Sequence, residues 1–474
     1  MTAVVERRET VPNPYLEGPF APIDTEITVD CAVIGELPAD LAGVFVRNGS
    51  NPKYPPPGRY HWFDGDGMMH ALHFENGHAV YRNRYVRTEA LALEQDAGEA
   101  IWSGVNERPN FSRPGGPFKD TANTDLVFHR GRLLALWWLG GPCYEVDVPS
   151  LETVGRYDFN GTLASLTAHP KLDPVTNELI VFDYDVLPPY LTYGVVGADG
   201  TLVHQTEIDL PGPRLLHDLA ITEHHTILMD FPLMWDPELL AQGRTRVTFR
   251  PDLPARFGII GRHATGSDVK WFEAESCYMY HTINAWESGD EIVLVGCRID
   301  NPLADGDRER VPHIDVLRLE PFLHEWRFNL VTGTVRERPL DDVMTEFPRM
   351  DNRLLGRPSH HAYSPHIAPA PELLFDGFVK YDTSTGASET HLYGDARYGG
   401  ETVFAPRVGA SAADDDGYVL TFVTDAVTGD SEVIVVDAQR PADAPVCRVQ
   451  IPQRVPIGYH SWWIDASELS PSGR

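Results

Sequence analysis

The sequence predicts an all-β fold, a seven-bladed β-propeller, and three observations point to it. The first is a series of seven hairpin-type turns, at Asn76-Gly77, Pro149-Ser150, Asp199-Gly200, Thr265-Gly266, Thr332-Gly333, Thr385-Gly386 and Arg440-Pro441. Gly, Asn, Asp and Pro suit such turns because they tolerate or preset the backbone angles that a tight reversal needs. The second is the pair of short runs around each turn, with β-branched or aromatic residues in partial alternation, as in MHALHFENGHAVYRNRYV and EWRFNLVTGTVRERPL. Alternation with period two is the mark of a half-buried strand. The third is the spacing of the turns, roughly 50 to 75 residues, which suits one four-stranded blade plus decoration. Seven such blades can close on themselves without an open sheet edge.

The remaining buried strands are supplied by apolar runs between the hairpins: LVFHRGRLLALWW, ELIVFDYDV, HTILMDF, DEIVLVGCRI and GYVLTFVTD. Where the spacing stretches, the chain is decorated. Residues 94–120, with RPNFSRPGGPFKD, read as an irregular loop. Residues 231–254 contain the short helix DPELLAQG, with Asp236 as N-cap and Pro237 at its first position. Residues 301–322 form a charged excursion. No linker divides the chain, so residues 1–474 read as a single domain.

Charge and cysteine usage narrow the function classes. With 39 basic and 69 acidic residues the net charge is -30, which opposes binding to nucleic acid or to anionic lipid by electrostatics. Five cysteines, Cys31, Cys143, Cys277, Cys297 and Cys447, are scattered and odd in number. They make neither a disulfide framework nor a zinc-thiolate site, and they fit a reducing compartment. The segment MTAVVERRETVPNPY lacks the apolar stretch of a secretory signal, and residues 133–142 are too few to span a bilayer. The expectation is a cytoplasmic protein, with peripheral membrane contact left open. Nothing in the sequence points to a protein partner.

Of 19 histidines, four share a setting. A lone histidine is more often a surface or hydrogen-bonded core residue, and His204, His263, His313, His324, His224-His225 and His360-His361 take that reading. His169 (LTAHPKLDP), His217 (LLHDLAIT), His281 (YMYHTINAW) and His460 (IGYHSWW) instead follow turns by 19, 17, 15 and 19 residues, at the entry to an apolar run. Equal phase in a radial repeat means equivalent places near one axis, where four imidazoles would form a metal site. Imidazole suits iron, zinc, copper and nickel alike, so the ligand type leaves the metal open. The two turns without such a histidine are followed at 13 and 15 residues by Glu346 and Glu401. Carboxylates there could accept the second N–H of a metal-bound imidazole, or could be ordinary exposed glutamates.

At these residues the chain resembles the carotenoid cleavage oxygenase family, which includes apocarotenoid oxygenases, lignostilbene dioxygenases and retinoid isomerases. The match runs nearly end to end, through GVFVRNGSNPKY, WFDGDGMMHALHF, TAHPKLDP, LLHDLAIT, HTINAWESGDEI, EFPRMD, ETVFAPR and RVPIGYHSWW. The resemblance implies a seven-bladed propeller with a cap of loops and short helices over the axial metal site. It implies ferrous iron held by His169, His217, His281 and His460, with Glu346 and Glu401 as carboxylates behind the ligands. O2 is then the co-substrate, and a polyene double bond is cleaved to two carbonyl products. There is one departure. The family usually has a third such glutamate in a motif like LLALWEGGxP, whereas LLALWWLGGP places Trp138 or Leu139 there. Lignostilbene-type relatives tend to carry a lysine just before that glutamate, and Trp137-Trp138 offers none. A carotenoid or apocarotenoid is thereby preferred to a phenolic stilbene.

Phe63, Trp137, Trp138, Leu216 and Tyr280, each in or beside one of these motifs, are candidates to line a substrate tunnel or equally to be propeller core. The apolar FPLMW stretch with its following helix, residues 231–240, is a candidate entry patch on a membrane, or simple packing. Two rivals remain: a metal-dependent propeller hydrolase, which usually needs carboxylate ligands, and a non-cleaving polyene isomerase or carrier.

Overall fold

The computed structural model describes residues 13–105, 107–236, 238–239, 247–303, 319–411 and 413–469. Among these residues the structure is mostly antiparallel β, with Glu89–Ala97 as its one complete α-helix. Four sheets are four-stranded and run in chain order. One joins Asp125–His129, Arg132–Leu136, Cys143–Val146 and Thr153–Tyr157; the next joins Lys171–Leu172, Leu179–Tyr184, Leu191–Val196 and Leu202–Glu207. A third joins Ala220–Ile221, His225–Asp230, Ala255–Gly261 and Lys270–Ala274, and a fourth Tyr278–Ser288, Glu291–Ile299, Pro321–Asn329 and Val335–Met344. Every pairing is antiparallel between neighbours; most connections are short, but residues 231–254 intervene between the second and third strands of the third sheet, and residues 300–320 between the second and third strands of the fourth.

Two larger sheets and a two-stranded one, Leu233–Trp235 with Val247–Phe249, hold the rest. In a nine-stranded sheet, His361–Ile367, Phe375–Asp382 and Ser388–Leu392 form one run, and Val403–Pro406, Gly417–Asp425, Ser431–Asp437 and Cys447–Ile451 form another. Arg397–Gly399 pairs with both runs and fuses them. The last sheet closes a seam between distant parts of the chain. Ser461–Asp465 pairs with Gly43–Arg47, and Met68–Glu75, His78–Tyr85 and Thr28–Asp30 follow outward. Four residues further along, Ala32–Gly35 adds instead to the outer edge of the nine-stranded sheet beside Cys447–Ile451.

All seven expected turns fall between paired antiparallel strands. Gly77, Gly200, Gly333 and Gly386 have φ between +74° and +82°, the left-handed region that a side chain disfavours. Burial follows the pattern of the sequence. Middle strands such as Leu179–Tyr184 (LIVFDY) are almost wholly buried, whereas the outer strand Leu202–Glu207 alternates between half-buried and exposed.

Two expectations need correction. The helix Glu89–Ala97 reaches into the stretch read as loop. Its sequence EALALEQDA is rich in helix formers, Thr88 caps its start by accepting from Leu91 N–H, and Gly98 ends it at φ +74°. The second concerns the candidate membrane patch. Phe231, Leu233 and Trp235 are buried in the core with Phe257 and Tyr278, and Leu233–Trp235 pairs with Val247–Phe249, so these three side chains face inward. Asp236 Oδ1 accepts from the N–H groups of Glu238 and Leu239 at 3.0 Å, as an N-cap does. Residues 237 and 240–246 lie outside the described residues, as do residues 304–318 of the charged excursion. No described helix is long and apolar enough to cross a membrane.

Candidate metal centre

Each antiparallel run brings one polar group to a common centre near the start of its first strand. Asp125 begins Asp125–His129, His169 lies two residues before Lys171–Leu172, and His217 three before Ala220–Ile221. His281 is inside Tyr278–Ser288, Glu401 is two residues before Val403–Pro406, and His460 immediately precedes Ser461–Asp465. Glu346 belongs to a short segment bridged to His361–Ile367, through Thr345 to His366 and Arg349 to Tyr363.

The four histidines converge. One nitrogen from each of His169, His217, His281 and His460 lies within 4.8 Å of the others, and all four residues are buried. Burial is the main cause that holds His169, His217 and His460 far below the usual imidazole pKa, with the neighbouring imidazoles adding to it. These three rings are therefore neutral at physiological pH, the form that donates a lone pair to a metal. His169 also has φ +66°, a conformation disfavoured for a non-glycine residue and kept only where surrounding contacts enforce it.

Carboxylates stand behind three of the rings. Glu346 Oε2 is 2.5 Å from His281 Nδ1, and Glu401 Oε1 is 2.9 Å from His460 Nδ1. Asp125 Oδ2 accepts the backbone N–H of His169 at 3.0 Å and lies 3.4 Å from its Nδ1. Among the described residues no hydrogen bond reaches His217, which lines the same cavity as Trp138. Of the two residues at the departure from the family motif, Trp138 lines the cavity and Leu139 packs on the core. Burial pushes the Glu401 carboxyl up to about 7, while Arg349 and the Ser461 N–H oppose the rise.

A set of buried ion pairs braces these segments against one another. Arg349 lies 2.9 Å from Glu401 Oε2 and 3.6 Å from Asp125 Oδ1, and so ties the partners of His460 and His169 together. Asp218, next to His217, pairs with Lys171 at 2.5 Å and accepts from Thr282 N–H and Oγ1–H at 2.8 and 2.9 Å. That one carboxylate links the segments carrying His169, His217 and His281. Asp125, Asp218 and Arg349 were not singled out by the sequence reading. The only signal for Asp218 and Arg349 was their place inside LLHDLAIT and EFPRMD.

An apolar cavity of about 250 Å³ opens on this centre and touches His217, His281 and His460. Phe63, Trp138 and Tyr280 line it, together with Phe347, whose ring lies 4.9 Å from both His281 and His460. Trp137 lines a smaller adjoining cavity of about 40 Å³. Leu216 turns away into the core with Ile180, Tyr193 and Leu228.

The donor set fits a divalent cation. Nitrogens bound to one ion at about 2.1 Å sit roughly 3–4 Å apart, close to the spread seen here. The Nε2 atoms of His169 and His281 are buried with no hydrogen-bond partner, whereas the Nδ1 atoms of His281 and His460 are taken by glutamates. Three carboxylates, Asp125, Glu346 and Glu401, and one guanidinium, Arg349, surround the four rings, a net acidic setting that suits a cation.

Such a centre under an apolar cavity is a candidate metal-binding site, and comparison with known proteins marks the chain as an oxidoreductase of the carotenoid-cleavage-dioxygenase type. A carotenoid 9,10(9',10')-cleavage dioxygenase of Crocus sativus is 36% identical, over 97% of this chain and 90% of its own. The lignostilbene dioxygenase of Pseudomonas brassicacearum superposes with a TM-score of 0.87 at 30% identity, covering 96% of this chain and 100% of the other. A Synechocystis apocarotenoid oxygenase does so with a TM-score of 0.82 at 26% identity, covering 94% and 97%. The profile of the retinal pigment epithelial membrane protein family matches residues 20–465, and the chain belongs to that family.

Proposed function

We propose that this chain is a non-haem iron(II) dioxygenase that cleaves a carbon–carbon double bond of a carotenoid or apocarotenoid with O2, giving two carbonyl products. One observation carries the reading: four buried imidazoles, without a carboxylate among them, converge under an apolar cavity. The seven antiparallel runs, each presenting one polar group to that centre, are read as the blades of a single seven-bladed propeller spanning the chain. The seam between Gly43–Arg47 and Ser461–Asp465 is then its closure. Five free cysteines fit a cytoplasmic setting.

Iron(II) held by His169, His217, His281 and His460 would supply dioxygen activation. The chain's own residues do the rest. Glu346 and Glu401 accept the Nδ1–H of His281 and His460 and so leave each Nε2 lone pair aimed inward. Phe63, Trp138 and Tyr280 confine the polyene, whereas Trp137 lines the adjoining small cavity and Leu216 belongs to the core. Burial of apolar surface, at roughly 25 cal/mol per Å², holds a hydrocarbon chain there and excludes water. Both oxygen atoms end in the two carbonyls, so neither reductant nor protein nucleophile is needed.

The test is aerobic incubation of the iron-loaded protein with carotenoids, apocarotenoids and stilbenes under 18O2, with product masses recorded. Labelled aldehydes or ketones from a polyene support the reading. Cleavage of stilbenes alone would shift the substrate class, and an isomerised product without label would remove the dioxygenase assignment.

The depressed imidazole pKa values carry a second expectation. Rings that are already neutral release no proton when a metal binds. Iron(II) binding between pH 6.5 and 7.5 should therefore liberate well under one proton per site from these three histidines. Anaerobic calorimetry in buffers of different ionisation enthalpy measures this, and release of two or more protons would contradict the neutral cluster.

A further inference from the structure

Two hydrogen-bond donors in the wall of the cavity are idle. Tyr280 Oη and Trp138 Nε1 are both buried and have no hydrogen-bond partner, although both side chains line the apolar cavity. Among other polar groups of that wall, Thr124 Oγ1 bonds Asn123 at 2.9 Å and Tyr459 Oη the Trp62 carbonyl at 2.5 Å, while Glu346 Oε1 is, like the two donors, buried without a partner. Phe63, Phe347 and Ile367 in the wall offer no acceptor side chain, and no carboxylate of the wall is bonded to either donor. An unmade hydrogen bond in an apolar site is unfavourable, so a site that keeps such donors discriminates against ligands that cannot satisfy them.

Indole N–H can only donate, and a neutral phenol donates readily. The matching ligand atom is therefore an acceptor oxygen. A neutral carbonyl or hydroxyl fits better than a carboxylate, which would have to give up its hydration in an apolar wall. Position narrows the ligand further. The Tyr280 ring stands edge-on to His217 at 5.1 Å, and Trp138 stands edge-on to Phe63 at 5.5 Å. Tyr280 thus stands against one ring of the histidine cluster, and an oxygen that it held would lie on the His217 side.

We propose that Tyr280 and Trp138 make this chain selective for oxygenated polyenes, whose carbonyl or hydroxyl oxygen they hold beside His217. The proposal rests on the reading of the cavity as the polyene site. The test uses iron-loaded protein without oxygen, so that binding is separated from turnover. Tryptophan fluorescence quenching is titrated with three polyenes of equal length, ending in a methyl group, an aldehyde and a carboxylate. The aldehyde should bind about tenfold or more tightly than the hydrocarbon, with the acid weaker than the aldehyde. In Tyr280→Phe the preference for aldehyde over hydrocarbon should shrink to within about threefold, and Trp138→Phe should lower it in part. Equal affinities for aldehyde and hydrocarbon in the parent protein would overturn the proposal. So would an equal loss for both ligands in Tyr280→Phe, which would mark the ring as packing only; in either case the polyene reading stands. If no polyene binds, the reading of the cavity falls as well.

Discussion

Replacement of His281 by alanine should abolish polyene cleavage, with turnover down by about a thousandfold or more and iron content well below one per chain. The reason lies on both sides of the ring. His281 contributes one of four converging nitrogens, and it is the group to which Glu346 Oε2 is bonded at 2.5 Å. Without it the glutamate is left buried beside an apolar cavity, with the Phe347 N–H as its remaining donor. Glu346→Gln removes the acceptor but keeps the ligand, and partners of this kind are typically worth 10- to 100-fold in metal affinity. The two variants should therefore rank, with alanine at 281 the more severe. Iron analysis alongside initial rates checks the ranking, and a fully active, iron-replete His281→Ala protein would remove this residue from the centre.

Loss of Arg349 should be nearly as damaging, though it touches no ligand directly. Its guanidinium lies between Glu401 and Asp125, both buried. Removing one partner from a buried charge pair typically costs about 3–5 kcal/mol because the other charge is left uncompensated. Arg349→Met should therefore lower the urea midpoint at unchanged slope, and it should weaken iron binding as well. Glu401 is already pushed to about 7 by burial, with Arg349 the largest influence lowering it. Without that cation the carboxyl protonates at neutral pH and loses one of the lone pairs that serve His460 and Ser461. Arg349→Lys should restore part of both properties. A Met variant with the parent's stability and metal content would show that the brace carries no weight.

The readability of the sequence divides along a physical line. Turns were legible because a reversal at Asn76-Gly77 or Asp199-Gly200 depends on local backbone freedom, and both glycines do adopt positive φ. The histidines were legible because repetition puts equal phase in equal places, and His169, His217, His281 and His460 are indeed brought together. What stayed hidden depends on partners far away in the chain. Asp125 opens a strand of ordinary appearance, and only its approach to a residue 44 positions away sets it apart. Phe231, Leu233 and Trp235 look the same whether they face lipid or Phe257. Leu216, beside His217, shows how one step along the chain separates a cavity wall from a core. The fusion of two runs by Arg397–Gly399 has no local signature either, since three residues carry it.

The seam has a temporal consequence. His460 directly precedes the strand that zips onto Gly43–Arg47, so a chain emerging from the ribosome carries three of its imidazoles long before the fourth. Until residue 460 has been made, the centre lacks a corner and Gly43–Arg47 lacks its partner strand. Completion of the four-histidine set is thereby deferred until that strand has been made and paired, and a chain that stops short of it cannot capture an ion with the full set.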